Sequence, residues 1–163
     1  MSKAVLLLNL GTPSEPTAKG LREFYRYFFS DPFMFDFNPI GRWILRNLII
    51  LPFRAPRIAK DYEQIWLDDG SPLEVYAKQL QASVQKAFDG EDVVVANAMA
   101  YSKPFVWDAM AELESKGVRE ILLLPMFPQY SSATTESIFH QVEVAAAKWQ
   151  DKPHLKFVSD LFQ

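Results

Sequence analysis

The sequence predicts an α/β fold, a parallel sheet flanked by helices, and two observations lead to this prediction. Short apolar runs of strand character recur along the 163 residues, and helical patterns lie between the last three of them. This alternation is typical of parallel strands joined by helices that cover both faces of the sheet. The apolar share of 49% and the chain length suffice for one domain with a proper core.

The predicted strands are Val5–Leu8, Val93–Ala96, Ile121–Leu124 and Leu155–Val158. Right-handed crossovers place the carboxyl ends of such strands along one edge, where ligands of open α/β sheets bind. The loop Asn9–Pro13 follows the first strand and lies at this edge, either as a ligand loop or as a structural turn.

A second candidate at the same edge is the segment Gln129–Thr135, between the third strand and the helix after it. Its hydroxyl and amide groups could receive an anion at the positive end of that helix. Helix capping explains one or two of the hydroxyls. Four hydroxyl residues within five exceed what one cap requires, which favours a ligand role as much as a structural one.

Three helices are predicted between Ser71 and the last strand. The first runs from about Pro72 to Phe88, because Ser71 can cap it and Glu74 completes a capping box. The second runs from about Pro104 to Gly117, and the third begins among Ser131, Ser132 and Thr134. Their expected core-facing residues are Leu73, Tyr76, Leu80, Val84 and Phe88, then Val106, Met110 and Leu113, then Ile138, Val142, Ala145 and Trp149.

An insertion of about residues 24–66 lies between the first strand and Ser71, where a simple βαβ unit would need one helix. It is rich in aromatic residues, and its second half carries Arg42, Arg46, Arg54 and Arg57 between apolar residues. Apolar surface with such guanidinium groups suits a large planar molecule with acidic tails. The alternatives are an ordinary amphipathic helix with solvated arginines and docking on anionic lipid.

Composition and spacing exclude several functions. The formal net charge of -3 argues against nucleic acid as a partner, and the absence of cysteine excludes thiolate metal sites and cysteine-held iron–sulfur clusters within these residues. The scattered glycines match neither a dinucleotide fingerprint nor a P-loop. His140 and His154 have no second ligand at a suitable spacing and are expected at the surface. No apolar run is long enough to span a bilayer, so a cytoplasmic location is expected.

The motifs together resemble the ferrochelatase family, whose members insert ferrous iron into a porphyrin during haem synthesis. The matching segments occur in family order along the whole chain, and those after the third strand are the most specific. They are Leu8–Pro13, Phe29–Pro32, Ile50–Pro52, Gly70–Leu73 and Leu124–Thr135. Ile65 and Trp66 before the Gly-Ser-Pro motif resemble bacterial members. The resemblance implies that the intact protein is a lyase acting on ferrous iron and protoporphyrin IX.

The resemblance also implies a division between two lobes. Residues 1–163 are similar to the N-terminal Rossmann-like lobe, with the insertion at about 24–66 forming a porphyrin lip. The family's catalytic histidine and its partner glutamate belong to the C-terminal catalytic lobe. We therefore expect that lobe as a partner of these residues, no catalytic or metal residue among them, and no metal insertion by them alone.

The positions that match porphyrin-contacting residues of the family are Leu10, Arg54, Ile58, Tyr62, Ser71 and Tyr101. Ala100 replaces an arginine that some members carry beside the pocket tyrosine, which puts polar contacts there in doubt. Ser132 stands where cluster-bearing members have a cysteine, so the resemblance implies no iron–sulfur cluster and no permanently bound cofactor.

Several alternatives stay open. One is a porphyrin- or haem-binding module without catalysis, and another is a different tetrapyrrole chelatase, such as one that inserts cobalt. The arginine count does not choose between protoporphyrin and coproporphyrin. A peripheral contact of Phe33–Phe53 with the inner membrane is a further alternative.

Overall fold

A computed structural model describes residues 2–34 and 38–159. Its centre is a parallel sheet of four strands in the order β2-β1-β3-β4. The strands are β1 (Lys3–Asn9), β2 (Val93–Met99), β3 (Glu120–Pro125) and β4 (His154–Phe157). The α/β prediction is confirmed, and so are all four predicted strands, with boundaries shifted by at most three residues.

The strand β1 is the most deeply buried strand, and it lies in the interior of the sheet, paired on both sides. Leu6 lies opposite Ala96 of β2 and opposite Leu123 of β3. Its residues from Ala4 to Leu8 are all buried, in agreement with the continuous apolar run of a strand covered on both faces.

Each face of the sheet has its own apolar cluster. Leu6 and Leu8 of β1 belong to the main core, which also takes buried residues from five of the helical elements introduced below. Val5 and Leu7 point to the other face, where one helix packs. The alternation along β1 therefore divides the helices between the two faces, as the period of two predicts.

The segment between β1 and β2 contains the predicted insertion. It forms α1 (Ala18–Phe28), α2 (Pro39–Ile44), a π-helical segment π1 (Leu45–Arg54) and α3 (Ala55–Ile65). Pro52 lies inside π1, and its missing N–H explains why the α-helical bonding pattern is not kept there. We call the run Pro39–Ile65 the lip. Residues 35–37 of the aromatic insertion lie outside the described residues.

Helix α4 (Pro72–Ala87) follows and packs on the second face of the sheet. Val84 and Phe88 contact the apolar cluster there, as predicted. The prediction was wrong for Tyr76 and Leu80, whose side chains are 60% and 37% exposed. In the described part of the chain α4 is the only helix packed on this cluster, so no second helix covers Tyr76 and Leu80.

The remaining helices lie against the main core. They are α5 (Val106–Ser115), a short π-helical segment π2 (Ser132–Glu136) and α6 (Ser137–Ala146). Val106, Met110, Leu113, Ile138 and Val142 are fully buried, as their spacing predicts. His154 is exposed, as expected, and it is the first residue of β4.

Within residues 2–34 and 38–159, no helix combines the length and the apolar character that a membrane crossing requires.

Candidate functional site

The carboxyl edge of the sheet contains a topological switch point between β1 and β3. The chain leaves β1 toward β2 on one side and leaves β3 toward β4 on the other. Open α/β sheets bind ligands in the crevice at such a point. The two predicted ligand segments, Asn9–Pro13 and Gln129–Thr135, follow these two strands and therefore border it.

The loop after β1 is held closely against the loop after β2. Gly11 has φ +96°, and a Cβ at this position would overlap the hydroxyl of Ser102. The same hydroxyl accepts the N–H of Thr12 at 3.1 Å. This close approach requires a glycine, so Gly11 has a definite structural role at the edge.

Leu10 and Tyr101, two of the predicted site residues, are neighbours at this edge. The Leu10 carbonyl accepts the Tyr101 N–H at 3.0 Å. Leu10 is half-buried on the border of the main core. Tyr101 is buried and lines an open cavity of about 320 Å³, together with Thr12, Phe24, Glu74, Ser102 and Phe105.

The hydroxyl of Tyr101 is engaged by other protein groups. It donates to Oδ2 of Asp31 at 2.6 Å and lies 3.1 Å from Oγ of Ser137. Ser137, which is buried, also donates to Asp31. Burial and then the hydrogen bond to Asp31 raise the pKa of Tyr101 well above its usual value. Tyr101 thus offers a ligand its ring rather than an available hydroxyl.

Arg54, Ile58 and Tyr62 share one face of the helix that runs from π1 into α3, because they are spaced by four residues. Ile58 and Tyr62 pack at the border of the main core, whereas Arg54 is exposed. Arg54 forms no ion pair with any residue in the described ranges. Its guanidinium is therefore available for a carboxylate.

Tyr25 of α1 lies near Tyr62 and Arg54, and both residues affect its pKa. Burial raises its pKa, the neighbouring Tyr62 raises it further, and Arg54 lowers it. Burial also raises the pKa of Tyr62. Both phenols are consequently neutral hydrogen-bond donors near pH 7.

Ser71 has a structural role that its sequence already indicated. It is buried at the N-cap of α4, and its hydroxyl accepts the Glu74 N–H at 3.2 Å. The capping-box prediction is confirmed for this half of the motif.

Apart from Ser71, the predicted site residues therefore form two groups with α1 between them. Leu10 and Tyr101 lie at the sheet edge, where the Tyr101 ring packs against Phe24 and Phe28 of α1 at 6.4 and 5.3 Å between centroids. Arg54, Ile58 and Tyr62 lie on the lip beyond Tyr25. Leu10, Ile58 and Tyr62 all lie at the border of the same main core.

At the segment Gln129–Thr135, backbone N–H groups that could bind an anion are instead bonded within the chain. The N–H groups of Thr134, Thr135 and Glu136 all point to the carbonyl of Ser131, at 2.9–3.3 Å. Thr135 is fully buried, whereas Ser131 and Ser132 are exposed. A ligand could therefore reach the hydroxyls of Ser131 and Ser132 but not that of Thr135.

Arg46 and His140, two further candidates for ligand or metal binding, contact other protein groups. Arg46 donates to the hydroxyl of Ser30, so it is less available for a ligand than Arg54. His140 is exposed and lies 5.4 Å from the Phe33 ring. In the described ranges no three His, Asp or Glu side chains are grouped as metal ligands.

Sequence reasoning missed the roles of Asp31, Ser137 and Tyr25. Asp31 lies in the Phe29–Pro32 motif, so the motif was recognised but its long-range partners were not. The contact between Asp31 and Ser137 joins positions 106 residues apart. A single sequence contains no signal for such a contact.

The chain is similar to a family of known proteins. The ferrochelatase family model matches residues 2–163. A coproporphyrin III ferrochelatase of Symbiobacterium thermophilum is 43% identical over 158 residues, which are 96% of this chain and 49% of the relative. A ferrochelatase of Coxiella burnetii is 45% identical over 138 residues, which are 85% of this chain and 39% of the relative. The chain thus spans about half or less of the length of these relatives, and it belongs to the ferrochelatase family.

Proposed function

We propose that this chain supplies the porphyrin-binding part of a ferrochelatase, a lyase that inserts ferrous iron into a porphyrin to form haem. The observation that carries the proposal is the Arg54 guanidinium, which is free of described ion-pair partners beside the half-buried Ile58 and Tyr62. A porphyrin presents the matching chemistry, since it has a flat apolar ring and carboxylate tails.

The binding energy from such contacts has a chemical use. A divalent metal enters the ring only when the pyrrole lone pairs leave the ring plane, and remote contacts can drive this distortion. Arg54 would hold a carboxylate at the lip, while Leu10 and the lip side chains Ile58 and Tyr62 would contact the ring. Fixing both the tail and the ring is what allows strain to be applied between them.

The proton chemistry requires groups from elsewhere in the protein. Two N–H protons must leave the porphyrin, which needs a positioned base. Among the described residues, both histidines are exposed: His154 begins β4, at the amino-terminal edge of the sheet, and the ring of His140 lies beside Phe33. We therefore propose that the 163-residue chain binds porphyrin without metallating it, and that the family's second lobe supplies the base.

The identity of the porphyrin determines how many carboxylates the substrate carries. The relatives' names include coproporphyrin III ferrochelatase and ferrochelatase without a specified porphyrin. We propose a dicarboxylate or tetracarboxylate porphyrin as substrate, together with ferrous iron, and no resident cofactor or iron–sulfur cluster.

The test is a titration of free-base protoporphyrin IX and coproporphyrin III with the chain, following the Soret band. We expect saturable binding of at least one porphyrin, which Arg54→Ala weakens about tenfold because a charge-assisted hydrogen bond is lost. Lys60→Ala removes a charge from an exposed position of the same helix and serves as the control. Equal affinities of the two variants, or no binding by the wild type, would contradict the proposal.

Anaerobic addition of ferrous or zinc ion to the bound porphyrin tests the second half of the proposal. We expect the free-base spectrum to persist. Metallation by this chain would contradict the assignment of the base to the second lobe. Persistent binding without metallation in the full-length protein would instead favour a porphyrin-binding module.

We also propose a peripheral membrane contact through Phe33–Phe53. Trp43, Leu48, Ile49 and Phe53 are each more than half exposed, and Arg42 lies in the same helical run. Exposed apolar side chains beside cations are typical of interfacial helices. Cosedimentation with anionic vesicles at low salt should detect the contact, and Phe53→Ser should reduce it. Absence of the wild type from the vesicle pellet would refute it.

A further inference from the structure

We propose that Asp31 is a positioning residue that fixes the lip relative to the carboxyl edge of the sheet. Its importance for porphyrin binding rests on the function proposed above, whereas its effect on the position of the lip does not. Asp31 touches neither the metal nor the porphyrin in this account and acts through Tyr101 and the lip.

Hydrogen bonds from several elements converge on the carboxylate of Asp31. Oδ2 of Asp31 accepts the hydroxyl of Tyr101 after β2 at 2.6 Å and the hydroxyl of Ser137 at the start of α6. Oδ1 accepts the Phe33 N–H at 2.8 Å, which fixes the turn after α1. Both carboxylate oxygens are thereby used, and they join three parts of the chain that are distant in sequence.

The adjacent Ser30 connects the end of α1 with the lip. Its hydroxyl donates to the Arg26 carbonyl at the end of α1 and accepts from Arg46 of π1. The dipeptide Ser30-Asp31 therefore contacts the lip with one residue and the sheet edge with the next. A further hydrogen bond joins α1 itself to the lip, from Arg22 Nε to the Leu51 carbonyl at 3.0 Å. It restricts movement of the lip relative to α1.

The two hydroxyl partners of Asp31 are deeply buried. Tyr101 and Ser137 are 3% and 1% exposed, so water cannot easily replace Asp31 as their acceptor. Hydrogen bonds of buried hydroxyls to a carboxylate are strong and directional. Losing the carboxylate would leave two buried hydroxyls without this acceptor, and the loop that carries Asp31 would no longer be held against them.

The consequence for binding follows from where the two groups of site residues lie. Leu10 and Tyr101 belong to the sheet edge, whereas Arg54, Ile58 and Tyr62 belong to the lip. A rigid planar ligand that contacts both groups needs a fixed distance between them. Asp31 and Ser30 join the two parts by side-chain bonds, so we expect affinity for porphyrin to depend on them.

The test first measures the position of the lip without any ligand. The chain has no cysteine, so spin labels can be placed at Ile49→Cys on π1 and Ala82→Cys on α4, which are both exposed. We expect one narrow distance distribution in the wild type, and a shifted or wider one in Asp31→Asn and in Tyr101→Phe. Asp89→Asn, at an exposed position after α4, is the matched control. An unchanged distribution in both variants would overturn the proposal.

The second measurement is the Soret titration of the unlabelled variants well below their unfolding temperatures. We expect Asp31→Asn and Tyr101→Phe each to weaken porphyrin binding about tenfold. The double variant should bind no more weakly than the weaker single variant, because both substitutions break the same contact. Additive losses, or a lowered Tm with unchanged Kd, would contradict a positioning role. If the wild type binds no porphyrin but the label distances still respond, the proposed function fails and the positioning role stands.

Discussion

The side chain of Gln85 pairs with β2 in the way that a neighbouring strand would. Its Oε1 accepts the Val95 N–H at 2.8 Å and its Nε2 donates to the Val93 carbonyl at 3.0 Å. One turn earlier on α4, Gln81 donates to the Val95 carbonyl at 3.0 Å. Because β2 is an edge strand of the sheet, these two amides occupy backbone groups that would otherwise be open to another chain.

Replacing this amide should therefore destabilise the chain and promote association. We expect Gln85→Leu to lower the free energy of unfolding by about 1–3 kcal/mol, since the backbone groups of Val93 and Val95 lose their partner. Urea unfolding measures the stability and light scattering the association. Gln79→Leu, at an exposed position of the same helix, should change neither by as much. Equal effects of the two substitutions would refute the role of Gln85.

The contact between Gly11 and Ser102 can be separated from backbone strain. Gly11 and Gly90 both have positive φ, +96° and +88°, but a Cβ on Gly90 would meet no atom within 4 Å. Both alanine substitutions incur backbone strain, whereas only Gly11→Ala also overlaps Ser102. We expect Gly11→Ala to lose about 1–3 kcal/mol more unfolding free energy than Gly90→Ala.

Porphyrin affinity gives the same pair of variants a second readout. Gly11→Ala should weaken binding, because it separates the loop after β1 from the loop after β2, and Gly90→Ala should leave it unchanged. Similar stability and affinity in the two variants would contradict the close approach.

The raised pKa of Tyr101 predicts a loss of stability at alkaline pH. An unfolded tyrosine ionises near pH 10, whereas folded Tyr101 keeps its proton to a higher pH. Above about pH 10 the unfolded state therefore binds fewer protons, and stability falls by up to about 1.4 kcal/mol per pH unit. Urea unfolding between pH 9 and pH 11 should show a shallower decline for Tyr101→Phe.

Tyr25 and Tyr62 contribute to the alkaline decline in the same direction, because their pKa values are also raised. Both residues are present in the wild type and in Tyr101→Phe, so the difference between the two profiles isolates Tyr101. Parallel profiles would mean that Tyr101 is not held protonated by the fold.

The strands and the helices after Ser71 could be predicted because each has a local pattern. The apolar run of β1 and the capping box around Ser71 depend on neighbouring residues alone. Tyr76 and Leu80 did not follow their helical pattern, since burial depends on whether a partner covers them. The periodic pattern of apolar residues along α4 contains no information about that partner.

The site was predictable in its parts rather than in its assembly. The motif resemblance selected Arg54, Ile58 and Tyr62, and their spacing places them on one helical face. It did not indicate that the Tyr101 hydroxyl is bound to Asp31, or that Arg46 is bound to Ser30. These bonds depend on tertiary distances that a single sequence does not contain.

The most direct test of the central proposal is to locate bound porphyrin by its ring current. The chain is labelled with ¹³C at the Leu, Ile and Val methyl groups and titrated with free-base porphyrin. We predict large upfield shifts for Leu10 and Ile58, which border the main core, and none for Val84, which packs on the opposite face of the sheet. Unshifted Leu10 and Ile58 at saturation, or shifts centred on Val84, would contradict the account.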